Sequence, residues 1–219
     1  MTELSLPARA YLLACDTRRD RLPDRERVAL LVRAAALTDL VLRGLITDAD
    51  GRPAANGTGG TGHLVLDDLL AEVAADPHRK WRAWVRRGAR GTLQSLEAQL
   101  AAAGVVSLRT SRVLGVFPRR HPVVRDSATA AGLHEEVASA LRSEGAVSPE
   151  VAALTALAAA VELKAVLPRA ERRRAKARIA RLEEQAGAAV PALRKVIREV
   201  NAARTASIAA ASGGGGGGG

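Results

Sequence analysis

Residues 27–46 read RVALLVRAAALTDLVLRGLI. Over residues 28–42 the apolar side chains Val28, Leu30, Leu31, Val32, Leu37, Leu40, Val41 and Leu42 go most of the way round a helix that turns about 100° per residue. A helix apolar on nearly every face is a buried one, so this segment is expected at the centre of a helical core. Arg33 sits in its middle. Its helical neighbours three and four residues away are Ala29, Leu30, Ala36 and Leu37, none of which can pair a charge, and an unpartnered buried charge is costly. Arg33 therefore needs something from elsewhere: a distant carboxylate, an escape of its long side chain to the edge of the core, or a bound anion.

The rest of the chain fits a helical surrounding. With 219 residues, 47% of them hydrophobic, it can bury one sizeable core, and aromatics at 2% favour packed helices over a sandwich. The expected fold class is all-α, a single mainly helical domain over residues 1–212 with one or two small β-hairpins. Residues 213–219 are all glycine and are expected to form a disordered tail. The lone Cys15 excludes an intrachain disulfide and fits a reducing cytosol. No run of 18 apolar residues free of charge exists and the N-terminus lacks a signal-peptide layout, so a cytoplasmic protein that neither spans a membrane nor is secreted is expected.

Residues 4–15, LSLPARAYLLAC, read as a short amphipathic helix with Pro7 in its first turn, where proline is tolerated. After the central helix, Gly44 is a helix stop, residues 45–47 a short strand, and Asp50-Gly51 a tight turn. Residues 57–62, GTGGTG, match a dinucleotide fingerprint in letters only: no strand precedes them and no phosphate-loop Lys-Ser/Thr follows, so they read as a connector. Helices are expected over residues 63–75, 92–103, 132–142, 149–167 and 191–203, eight or nine in all with those of the basic stretches. Residues 105–117 read as a β-hairpin with its turn near residues 109–111, ended by Pro118. Its Leu114, Val116 and Phe117 are either core or an apolar edge that recruits a second copy.

The net charge of +10 rests on 33 basic residues, only four of them lysine. The arginine fork suits phosphate oxygens. Between Asp76 and Glu97 there is no acidic residue, while Arg79, Lys80, Arg82, Arg86, Arg87 and Arg90 surround the only two tryptophans, Trp81 and Trp84. Interleaved tryptophan and arginine suit a membrane interface or a nucleic-acid backbone, or a solvated helix face with the indoles turned inward. The basic stretch after Pro168 spreads its charges over several faces and reads as a solvated helix or an anionic-surface contact. The four histidines lack metal-ligand spacing, no serine lies in a nucleophile elbow and there is no second cysteine. Neither a catalytic set, nor a metal site, nor a cofactor is expected.

The succession LSLPARAYLLAC, VRAAALTDLVLRGLI, TGHLVLDDLLAEV, LEAQLAAAGVV and RRHPV resembles the Golgi phosphoprotein 3 family and is similar to a bacterial member of it. The ordered series L-R-G-x-[I/L], T-G-x-x-x-L-D, G-V-[V/L] and H-P carries the likeness. The resemblance implies a mostly helical peripheral membrane protein that binds phosphatidylinositol 4-phosphate through a pocket of tryptophan and arginines, and that holds membrane proteins as cargo. By position, the family's pocket arginines fall on Arg33 and Arg90, its tryptophan on Asp24 and its last arginine on Leu93. An anionic or phosphorylated membrane lipid is the expected partner, with Arg33 and Arg90 on its phosphate, and with Trp81, Trp84, Arg86 and Arg87 facing the membrane. Self-association through the hairpin is expected as well. A winged-helix nucleic-acid binder is the alternative, a helix followed by a hairpin. The would-be recognition helix TLQSLEAQLAAA carries no basic residue, so nucleic acid is not the expected partner.

Overall fold

The structure, a computed structural model, describes residues 4–57, 59–113 and 117–213. Among them are ten helices: α1 (Leu6–Ala14), α2 (Arg25–Leu42), α3 (Leu64–Ala75), α4 (Trp81–Arg86), α5 (Ala89–Ala102), α6 (Ser127–Arg142), α7 (Pro149–Ala160), α8 (Arg169–Arg174), α9 (Lys176–Ala186) and α10 (Ala189–Gly213). Two antiparallel two-stranded sheets complete the fold, β1 (Ile46–Ala49) with β2 (Arg52–Ala55), and β3 (Val106–Val113) with β4 (Phe117–Val124). The fold class is thus mainly α, as expected, with two small hairpins. No helix among the described residues is long and apolar enough to cross a membrane.

Helix α2 is the hub. It begins where the Asp24 carboxylate accepts from the Arg27 amide, and it packs against α1, α3, α4, α5, α7 and α10. Every residue from 28 to 40 is buried, so the all-round apolar pattern has its physical counterpart in helices on all sides. The helix closes at Gly44, whose φ of 71° lets the Leu45 amide reach back to the Leu40 carbonyl at 2.9 Å. Helix α5 ends the same way at Gly104, with the Val105 amide on the Leu100 carbonyl at 2.9 Å.

Several elements differ from the sequence reading. The segment over 149–167 is helical only to Ala160, because Glu162 takes a left-handed φ of 56° and the Leu163 amide folds back on the Ala158 carbonyl. This is the same closure as at Gly44, made without glycine. The basic stretch divides into α8 and α9, which raises the helix number above the expected eight or nine, and α10 runs beyond residue 203 into Gly213. The remainder of the expected glycine tail lies outside the described residues.

The second hairpin is longer than expected and turns elsewhere. Residues 109–111 are mid-strand, Val113 stands opposite Phe117, and the register continues to Val106 opposite Val124. Residues 114–116, between the two strands, are not among those described. Leu114 and Val116 therefore lie outside the described residues, and only the backbone of Phe117 is placed, at the start of β4. Pro118 does not end the pairing: it faces Arg112, and Pro122 faces Leu108. Four residues apart, the two prolines share one side of β4, so both can turn their donor-less nitrogens to the open edge.

Candidate anion-binding site

The acid-free stretch forms α4, a left-handed turn at Gly88, and the start of α5. Trp81 is 5% and Trp84 1% exposed, so both of the rings expected at a membrane are packed into the core. The indole rings gain more in the core. The Trp81 Nε1 donates to Asp48 Oδ1 at 2.6 Å, and the Trp84 ring lies 5.8 Å from the Arg33 guanidinium and 5.7 Å from that of Arg79. Arg86 is exposed, but its Nη2 donates to Glu199 Oε2 at 2.7 Å while Arg82 takes the other oxygen of the same carboxylate. Arg87 is exposed and has no ion pair among the described residues.

Arg33 is 1% exposed. Its Nη2 donates to Glu72 Oε2 on α3 at 2.5 Å, its Nη1 to Thr92 Oγ1 at 2.9 Å, and its Nε to the Trp84 carbonyl at 3.3 Å. The distant carboxylate is therefore present. Three elements converge on one guanidinium, and such a charge is neutralised from within. Gly88 permits this closeness: a Cβ there would meet the guanidinium at 3.5 Å, on a backbone whose φ of 67° already disfavours a side chain.

On the other side of the same turn a pocket of about 320 Å³ opens, lined among others by Glu26 and Leu30 of α2, Arg86, residues 88–91 and Val196 of α10. Arg90 lines it and Arg33 does not, so the fold brings the two expected ligands to opposite sides of Gly88 rather than to one cavity. Arg90 is exposed and makes no ion pair or side-chain hydrogen bond among the described residues. Helix α5 starts here with no side-chain cap at Gly88, so its dipole adds positive potential at the pocket. Of the two family positions that differ, Asp24 caps α2 and Leu93 is 2% exposed in the core.

A neighbouring polar network escaped the sequence reading. Glu97, 2% exposed, accepts from Arg25 through both oxygens at 2.8 and 2.7 Å and from the Tyr11 hydroxyl at 3.1 Å, tying α1, α2 and α5 together. Burial pushes the Tyr11 hydroxyl far up, and burial with the Glu97 charge pushes the Cys15 thiol up to about 12. The hydrogen bonds to Glu97 in turn raise Arg25. The signal was Glu97 itself, an acid on the apolar stripe of Leu93, Leu96 and Leu100.

No group of three or more metal-ligating side chains occurs among the described residues. A family model described as Golgi phosphoprotein 3 (GPP34) matches residues 6–200. The search of curated proteins finds no match.

Proposed function

Because the chain belongs to the Golgi phosphoprotein 3 family, we propose that it is a peripheral membrane protein whose pocket at the start of α5 takes the phosphate of an anionic lipid headgroup. A phosphatidylinositol 4-phosphate type of headgroup, a station on the cytoplasmic face of a membrane and membrane-protein cargo belong to the same proposal. The role is binding rather than catalysis.

The observation that carries it is the contrast between two arginines: Arg33 is satisfied by Glu72, Thr92 and Trp84, whereas Arg90 is not satisfied by anything described. An exposed arginine beside an uncapped helix start offers a planar donor fork and backbone amides to one phosphate group. Arg33 then acts as a positioning residue, fixing the Gly88 turn from behind. Glu26, on the pocket wall, opposes an anion and limits affinity.

Amide chemical shifts read during titration with a soluble inositol phosphate test the site. Saturable shifts at Ala89, Arg90 and Gly91 are expected, lost in Arg90→Ala and strengthened in Glu26→Gln. Shifts that survive Arg90→Ala unchanged, or none at all, would overturn the assignment.

A further inference from the structure

A second cleft shares no lining residue with the Arg90 pocket. It holds about 1130 Å³ between the end of α1, the loop over residues 16–24, one face of α6 and the turn after α7. That is about the top of the size range of small-molecule sites. Its floor is hydrocarbon and thiol: Cys15, Leu31, Ala130, Val161 and Val166 are all buried and all line it. Apart from the His134 imidazole no aromatic ring lines it, so a nucleobase would find little to stack on.

The mouth is charged, and its charges do not cancel. Each acid on the lining already has a cation: Asp16 has Arg21 at 3.5 Å, Asp24 has Arg27 at 3.4 Å, Glu135 has Arg142 at 2.6 Å and Glu162 has Arg172 at 3.3 Å. Arg18 and Lys164, exposed at the same mouth, have no ion pair among the described residues. The Arg27 Nε, buried on the cleft wall, has no hydrogen bond, although the Asp24 Oδ2 lies 3.4 Å away. An apolar floor under an uncompensated cationic mouth complements one kind of molecule.

We infer that this cleft binds a single-chain anionic amphiphile, its hydrocarbon chain on the floor and its head met by Arg18 and Lys164. The polar rim sets the orientation and the floor supplies most of the affinity, since each buried methylene contributes about 0.8 kcal/mol while exposed charges are screened.

The test uses the full chain and dansyl-undecanoic acid, a fluorescent fatty acid, below its micelle-forming concentration. Saturable binding is expected, displaced by oleate or lysophosphatidate and not by oleyl alcohol; the relative strength of the two anions tells a carboxylate from a phosphate head. Exchanging both cations, Arg18→Glu with Lys164→Glu, should weaken binding about tenfold or more. Ala131→Trp, on the exposed face of α6 that lines the cleft, should block it by bulk. Arg90→Ala should bind the probe as the parent does, which separates this site from the headgroup pocket. Absence of saturable binding, equal displacement by the alcohol, or indifference to the charge exchange would each overturn the inference.

Discussion

Arg33 shows how a single residue can be conspicuous in sequence while its partner is not. An arginine in the middle of an apolar helix had to be neutralised, and the neutralising group is Glu72, 39 positions away on α3. Nothing in local spacing points to Glu72, because the pairing is created by the packing of α3 on α2. Removing the carboxylate leaves a guanidinium buried with only Thr92 and the Trp84 carbonyl. Breaking a fully buried pair costs about 3–5 kcal/mol, but Glu72 is itself 44% exposed and water can replace part of it, so Glu72→Ala should cost about 2 kcal/mol. Urea denaturation checks this, and an unchanged midpoint would mean that Arg33 draws its stability elsewhere. The tryptophans illustrate the opposite difficulty. Trp81 and Trp84 stood out by composition, yet the same amphipathic ring suits a bilayer interface or a core with one polar partner, and only the fold supplies Asp48 to Trp81.

Among the elements, helix ends were legible where glycine makes them. Gly44 and Gly104 end α2 and α5 as expected, while Glu162 performs the identical closure of α7 and leaves no mark in the sequence. The β3–β4 ribbon was legible as a hairpin but not in register, since Pro118 and Pro122, residues that usually interrupt strands, both lie within β4. This ribbon packs chiefly on α5 and leaves both outer edges unpaired among the described residues. Open edges gain by pairing or burial against a copy, so hairpin-driven self-association is the expected behaviour of the full chain. Replacing residues 108–122 with a short glycine-serine link should lower the mass seen by light scattering while leaving the helical circular dichroism in place. A parent already monomeric at high concentration would remove the idea.

At the scale of the molecule, a helical core around residues 28–42 could be read directly from apolar periodicity, because α2 is packed from several sides. The candidate site was half legible. Arg90 was found from the family resemblance, but the pocket beside it needs α2, α5 and α10 together, and no sequence interval encodes that meeting. Charge acts at this scale too. A net charge of +10 should draw the whole protein to any anionic surface, in a manner screened by salt, while a single pocket arginine should distinguish among headgroups. The two contributions separate in one experiment: sedimentation with phosphatidylcholine vesicles carrying either phosphatidylserine or phosphatidylinositol 4-phosphate, over a series of salt concentrations, for the parent, Arg87→Ala and Arg90→Ala. The parent should prefer the phosphoinositide, Arg87→Ala should weaken binding to both vesicles, and Arg90→Ala should sediment equally with the two. A parent that stays in the supernatant with both, or an Arg90→Ala protein that keeps the parent's preference, would contradict this expectation.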